Sequence, residues 1–147
     1  MIRLIAIGDL HSGHYGGLTP PGWQIKEERR PKLFDLQEQQ WHSYCGMVRE
    51  AIDTKDKIVL VVNGDAIDGN RFPCELIESN REEQCKMAEI AIRKFGAEKI
   101  IMTRGTPSHV GKEEDWEDTL AKDLGADIRS EQFVNVNGVK FYFRHKI

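Results

Sequence analysis

Three short apolar runs constrain this chain most: IRLIAI at 2–7, KIVLVV at 57–62 and KIIMT at 99–103. Each is rich in β-branched residues and has no polar face, the pattern of a strand buried on both sides. Helical periodicity fills the gaps. From Pro31 onward, Phe34, Trp41, Tyr44, Val48 and Ile52 fall on one helix face. Over about 79–95, Cys85, Ala88, Ile92 and Phe95 do the same, and Gly96 stops the helix. A third, shorter pattern carries Trp116, Leu120 and Leu124 and closes at Gly125, with Glu113 to Asp118 read as its charged start rather than a calcium loop. The last segment, QFVNVNGVKFYFRH, reads as a hairpin turning at Asn137-Gly138. Strands alternating with helices predict an α/β layered fold with a mixed sheet. No repeat, linker or low-complexity segment divides it, so residues 1–147 are expected to form one domain.

Composition narrows the function. Twenty-four acidic residues against 21 basic ones give an ordinary surface with no basic footprint for tight nucleic-acid binding. Cys45, Cys74 and Cys85 are odd in number and lack a CxxC spacing, so they read as reduced thiols. No apolar run approaches the roughly 18 residues of a membrane span, and no leader opens the chain; a cytoplasmic protein without membrane contact is expected.

The chemistry gathers where strands end. The first delivers Asp9 and His11 (GDLH), the second Asn63, Asp65 and Asp68 (NGDAIDG), the third Arg104, Thr106 and His109 (RGTPSHVG), and the hairpin ends at His145. Carboxyl ends of parallel strands share one edge, the usual ligand-binding edge of an open α/β sheet. Crowded carboxylates repel and are costly to desolvate, and a divalent cation relieves both. Carboxylates mixed with imidazoles suit manganese, iron or zinc better than calcium or magnesium. Extended backbone through Asp9-Leu10-His11 would point both ligands at one ion and Leu10 into the core.

A D-x-H after the first strand and a G-D-x-x-D-G after the second resemble the calcineurin-like metallophosphoesterase superfamily, and the likeness spans nearly the whole chain. It implies a β-sandwich flanked by helices that uses two metals, and hydroxide generated on them, to hydrolyse phosphomonoesters or phosphodiesters. Mn²⁺ is the first expectation, with Fe, Zn²⁺ or Mg²⁺ as alternatives; nucleotides and nucleic acids are among the substrates implied. By this likeness Asp9 and His11 hold the first metal, Asp65 bridges both, Asp68 supports the loop or a histidine from behind, and His145 is the lone histidine ligand of the fourth motif.

The third motif departs from the family's G-N-H. Gly105-Thr106-Pro107-Ser108-His109 lacks the asparagine and resembles the loop of phage-associated members. Thr106 or Ser108 can offer a hydroxyl in its place. His109 is either a ligand or the general acid that meets the leaving group, and Arg104 either meets phosphate or forms a salt bridge. The family's final G-H-x-H is absent. On that count the sandwich is expected to be incomplete at its C-terminus, and the chain to hold at most one metal tightly and turn over slowly. Two other readings stay open: a degenerate metal- or nucleic-acid-binding module of this fold, and an unrelated phosphatase with Asp9 as nucleophile. His42 reads as solvated and His14 as a loop histidine. Tyr15 and Trp23, in the Gly- and Pro-rich loop between His11 and Gln24, can stack on a base or pack down as a lid.

Overall fold

The computed structural model describes residues 1–70, 73–110 and 116–145. The three apolar runs form parallel strands, β1 (Ile2–Ile7), β2 (Lys57–Asn63) and β3 (Lys99–Thr103). They are joined by α1 (Pro31–Ile52) and α2 (Arg81–Arg93). After β3 come one helical turn, α3 (Pro107–Val110), then α4 (Trp116–Leu124) and a three-residue strand, β4 (Asp127–Arg129). The chain closes with the hairpin β5 (Glu131–Val136) and β6 (Val139–Arg144). Asn80 caps α2, its side chain accepting from the N–H groups of Glu82 and Glu83, which fixes that helix start two residues later than its periodicity suggests.

The strand order β1-β2-β3-β4 never reverses. Crossovers of a single hand then place every connecting helix on the same face of the sheet. The core follows this rule. On one face Leu60, Val62 and Met102 pack against Trp41, Tyr44 and Val48 of α1, Ala88 and Ile92 of α2, and Leu120 of α4. The opposite face, with Val61 and Ile101, is left for the hairpin, whose Val134 and Val136 cover it. Successive residues of β2 thus serve two cores, which is why the strand has no polar face.

The hairpin forms its own two-stranded antiparallel sheet, so the expected mixed sheet is instead two sheets, each of one sense. β4, too short to show a period, occupies the edge beside β3 and closes it to the hairpin. The turn at Asn137 and Gly138 has positive φ at both residues (52° and 84°), the geometry that suits a two-residue hairpin loop. Gln132 is buried and its Nε2 donates to the carbonyls of Met102 and Asp127, tying the hairpin to the first sheet.

Among the described residues no helix is long and apolar enough to cross a membrane. The three cysteines are free thiols, and burial, followed by the nearby Asp123 and Glu117 carboxylates, pushes Cys85 up to about 12.

Candidate metal centre

β1, β2 and β3 end level with one another, Ile7 opposite Val62 and Asn63 opposite Thr103. The loops after β1 and β2 then stay zipped by main-chain hydrogen bonds. Asp9 N–H donates to the Gly64 carbonyl (3.1 Å), His11 N–H to Asp65 (3.0 Å), Ser12 N–H to Ala66 (3.1 Å) and Asp68 N–H to Ser12 (3.0 Å). This ladder sets D-x-H against G-D-x-x-D.

The backbone there is not extended. Asp9, His11 and Asp65 have φ of 54°, 45° and 49°, and with the turn residue Asn137 they are the non-glycine residues of positive φ among those described. Left-handed backbone is uncommon outside glycine and gathers at functional sites. The expectation of extended geometry through Asp9-Leu10-His11 is therefore corrected: two left-handed residues flank Leu10. Leu10 is nonetheless buried, and His11 Nε2 comes within 3.7 Å of Asp9 Oδ1.

Asp65 is the hub. Its carboxylate is buried, and Thr106 donates to it twice, from N–H to Oδ1 (2.6 Å) and from the hydroxyl to Oδ2 (3.0 Å). Three imidazole Nε2 atoms surround Asp65 Oδ2: His145 at 3.0 Å, His11 at 3.9 Å and His109 at 3.9 Å. Two sets of three donor atoms result, His11–Asp65–His109 and Asp9–Asp65–His145, each within 4.8 Å of one another. Asp9 and His11, assigned to one metal by resemblance, fall in different sets here.

All three rings are oriented from behind. His145 Nδ1 meets the Asn63 carbonyl (2.7 Å), His109 Nδ1 the Asp68 carbonyl (2.9 Å) and His11 Nδ1 the Asp68 carboxylate (3.0 Å). A backbone carbonyl only accepts, so Nδ1 of His145 and His109 carries the proton and Nε2 keeps its lone pair unless it too is protonated. A lone pair 3.0 Å from a carboxylate oxygen is repulsive, and either a proton or a cation resolves it. Burial pulls the His145 pKa down, but the Asn63 carbonyl and the Asp65 and Asp9 carboxylates outweigh it, and the net direction is upward. The donor set fits a divalent cation: convergent Nε2 atoms, a shared carboxylate and Nδ1 protons held elsewhere.

Close approach requires glycine at several positions around the centre, two of them directly against its ligating side chains. A Cβ on Gly64 would collide with the His145 ring, and one on Gly105 with the Asp65 carboxylate. The third loop makes a single turn in which His109 N–H donates to the Thr106 carbonyl (2.8 Å), returning His109 to the centre beside His11, ring centroids 4.8 Å apart.

Other candidates are placed elsewhere. The Thr106 hydroxyl serves Asp65. Arg104 is a salt-bridge residue, its two terminal nitrogens 2.9 Å and 2.8 Å from the Asp118 carboxylate on α4. Trp23 Nε1 donates to Glu83 of α2 (3.2 Å), and Tyr15 stacks on His14, which contacts Glu75 (3.1 Å). That loop packs down. His42 is exposed, and Glu113 to Asp115 lie outside the described residues.

What the sequence reading missed is a set of polar residues on the inner faces of three helices, all fully buried. Gln37 of α1 accepts from Ile25 N–H (2.9 Å) and donates to the Tyr15 carbonyl (3.1 Å), fastening the first loop. Gln84 of α2 holds both the N–H (2.8 Å) and the carbonyl (2.9 Å) of Gly69. Glu117 of α4 accepts from Ala66 N–H (2.8 Å) with one oxygen and Gly105 N–H (2.6 Å) with the other, joining the second loop to the third. Glu117 does lie in the charged first turn of α4, but its carboxylate is buried between the two loops. The available signal was a polar residue at a position where the helical period calls for an apolar one.

In comparison with known proteins, no family model matches this chain and no curated protein matches it at a significant level.

Proposed function

We propose that this chain is a metal-dependent phosphoesterase of the calcineurin-like metallophosphoesterase type, acting on phosphomonoesters or phosphodiesters. The observation that carries the reading is the pair of three-donor sets sharing one buried carboxylate, Asp65. His11 and His109 would hold one cation with Asp65, and Asp9 and His145 the other. Three protein donors per ion leave positions open to water and substrate, the arrangement of catalytic rather than structural sites. When bound, the two cations supply charge neutralisation for the phosphoryl oxygens and an acidified water. In this reading, the two stacked sheets with helices outside are a part of the family's sandwich.

The chain's own residues do the positioning. Asp68 fixes the rings of His11 and His109 from behind, the Asn63 carbonyl fixes His145, and Thr106 holds the Asp65 carboxylate in one rotamer. His109 Nε2 faces the centre, 3.9 Å from Asp65 Oδ2, and His109 is assigned either to the His11 set or to proton transfer to the leaving group. A non-catalytic metal-binding module is favoured by one feature, the commitment of the Thr106 hydroxyl to Asp65, which leaves the third loop without the family's amide ligand.

The test is release of p-nitrophenol from p-nitrophenyl phosphate and bis-p-nitrophenyl phosphate across Mn²⁺, Zn²⁺ and Mg²⁺, with metal content measured on the same protein. Metal-dependent release, fastest with Mn²⁺, is expected. Metal bound without turnover selects the non-catalytic module. No retained metal refutes both.

A further inference from the structure

Resting on the phosphoesterase reading, we infer that the cleft beside the metal centre selects phosphoesters carrying a large apolar, uncharged ester group, such as an aryl ring, over small esters and over strands of nucleic acid. The cleft is large, about 830 Å³, and begins at Asp9, His11 and His109. From there it runs along one stripe of α1, formed by Leu36, Gln40, Ser43 and Met47 at spacings of four, three and four residues. This stripe neighbours the buried one formed by Gln37, Trp41, Tyr44 and Val48. Between Leu36 and Met47 it carries no charge.

Leu36 and Met47 are large apolar residues left 45% and 62% exposed. Leu18 and Tyr44 add apolar wall, and the Tyr44 hydroxyl is committed to the Ala91 carbonyl (2.8 Å), so the ring is what Tyr44 offers a ligand. Gln40 Nε2 donates to the Gly16 carbonyl, while its buried Oε1 has no hydrogen-bond partner among the described residues and is the one polar acceptor this side chain leaves at the wall. A contiguous apolar surface beside a polar centre is the usual form of a small-molecule site, with the polar groups orienting and the apolar wall supplying affinity.

Charge on the described residues argues against the alternative. Among the described residues lining the cleft there is no lysine or arginine, whereas Asp9, Asp68 and Glu75 all border it. A nucleic-acid strand needs cations along its path to replace its counterions, with aromatic faces for its bases. Asp9 and Asp68 belong to the centre itself, so Glu75, paired with His14, is the named carboxylate outside it, and it would repel a further phosphate rather than attract one. The exposed Lys26, Arg29 and Arg30 line a different cleft, which shares no residue with this one.

The experiment compares two monoanions, diphenyl phosphate and dimethyl phosphate, by calorimetric titration of the full chain with and without Mn²⁺. Burial of a phenyl ring should make diphenyl phosphate bind on the order of tenfold tighter. Leu36→Ser and Met47→Ser, neutral changes at exposed positions, should remove that preference and leave dimethyl phosphate unaffected. A fluorescein-labelled decathymidylate should bind more weakly than diphenyl phosphate by anisotropy. Equal affinity for the two esters, no binding of either, or tighter binding of the oligonucleotide overturns the inference. Hydrolysis of bis-p-nitrophenyl phosphate is measured alongside. Preference without hydrolysis keeps the cleft assignment and sinks the phosphoesterase reading, and hydrolysis without preference does the reverse.

Discussion

Glu117→Gln isolates the contribution of one buried carboxylate to both fold and site. The two carboxylate oxygens each accept one main-chain N–H, from Ala66 and from Gly105. The amide keeps one acceptor and turns a donor toward the other N–H. One charge-assisted hydrogen bond, about 1.5–3 kcal/mol, is lost and a buried donor is left without a partner, which adds about 1–3 kcal/mol. Relief from burying a charge offsets part of this, so a net loss of roughly 2–4 kcal/mol is expected. For a domain of this size that lowers Tm by roughly 4–14 °C. The volume is unchanged, so cavity formation does not contribute. The assay is thermal and urea denaturation followed by circular dichroism, with metal affinity measured in parallel. Because Glu117 joins the loop of Asp65 to the loop of His109, metal affinity should fall together with Tm. A Tm within about 1 °C of the parent would show that neither N–H depends on the carboxylate, and the loop-clamp argument would fail.

Asp65→Asn should abolish binding at both donor sets while leaving the secondary structure intact; plasma emission analysis after dialysis showing parental metal content would defeat the hub assignment. His109→Ala separates its two roles: loss of one metal equivalent marks a ligand, a fall of about 10²–10⁴-fold in kcat with metal retained marks a proton donor, and no change in either marks a bystander. pH dependence has opposite signs in the two states. Without metal, the raised His145 pKa means that the native state holds the proton more firmly; its contribution is complete below the ordinary histidine pKa and fades as pH rises through the folded value. With metal, affinity should rise with pH over the same range as protons leave the Nε2 atoms. Thermal melts in EDTA and in Mn²⁺ across pH 5–9, an approximate range bracketing the histidine pKa, would show this, and a His145→Gln variant that keeps the metal-free slope would disprove it.

The sequence made the strands and the site's position legible for one physical reason. IRLIAI and KIVLVV are apolar on both faces, so they had to be central, and whatever followed them had to emerge together at one edge. Asp9, His11 and Asp65 could be found by that reasoning alone. Their left-handed backbone could not, because it arises from the ladder between the two loops, which is a tertiary contact. β4 was illegible because three residues, Asp127 to Arg129, are too few to show a period. Gln37, Gln84 and Glu117 escaped because a polar residue on an apolar helix face has no preferred explanation until the backbone groups it satisfies are known. The hairpin was readable from Asn137-Gly138, but its placement as a separate sheet follows from the unreversed strand order, which leaves one face of the first sheet uncovered.

His145 arrives at the centre on the strand whose hairpin seals that uncovered face. The imidazole nearest the shared carboxylate thus follows directly on the element that lies farthest along the chain from Asp9. A cation held by Asp9 and His145 would join the amino-terminal strand to the carboxy-terminal hairpin across 136 positions of sequence, the separation of those two residues. Such a closure has a kinetic side. Lifting of the hairpin from the sheet would take His145 away from the ion, so bound metal would oppose that opening, and amide exchange in β5 and β6 would slow when the metal is held.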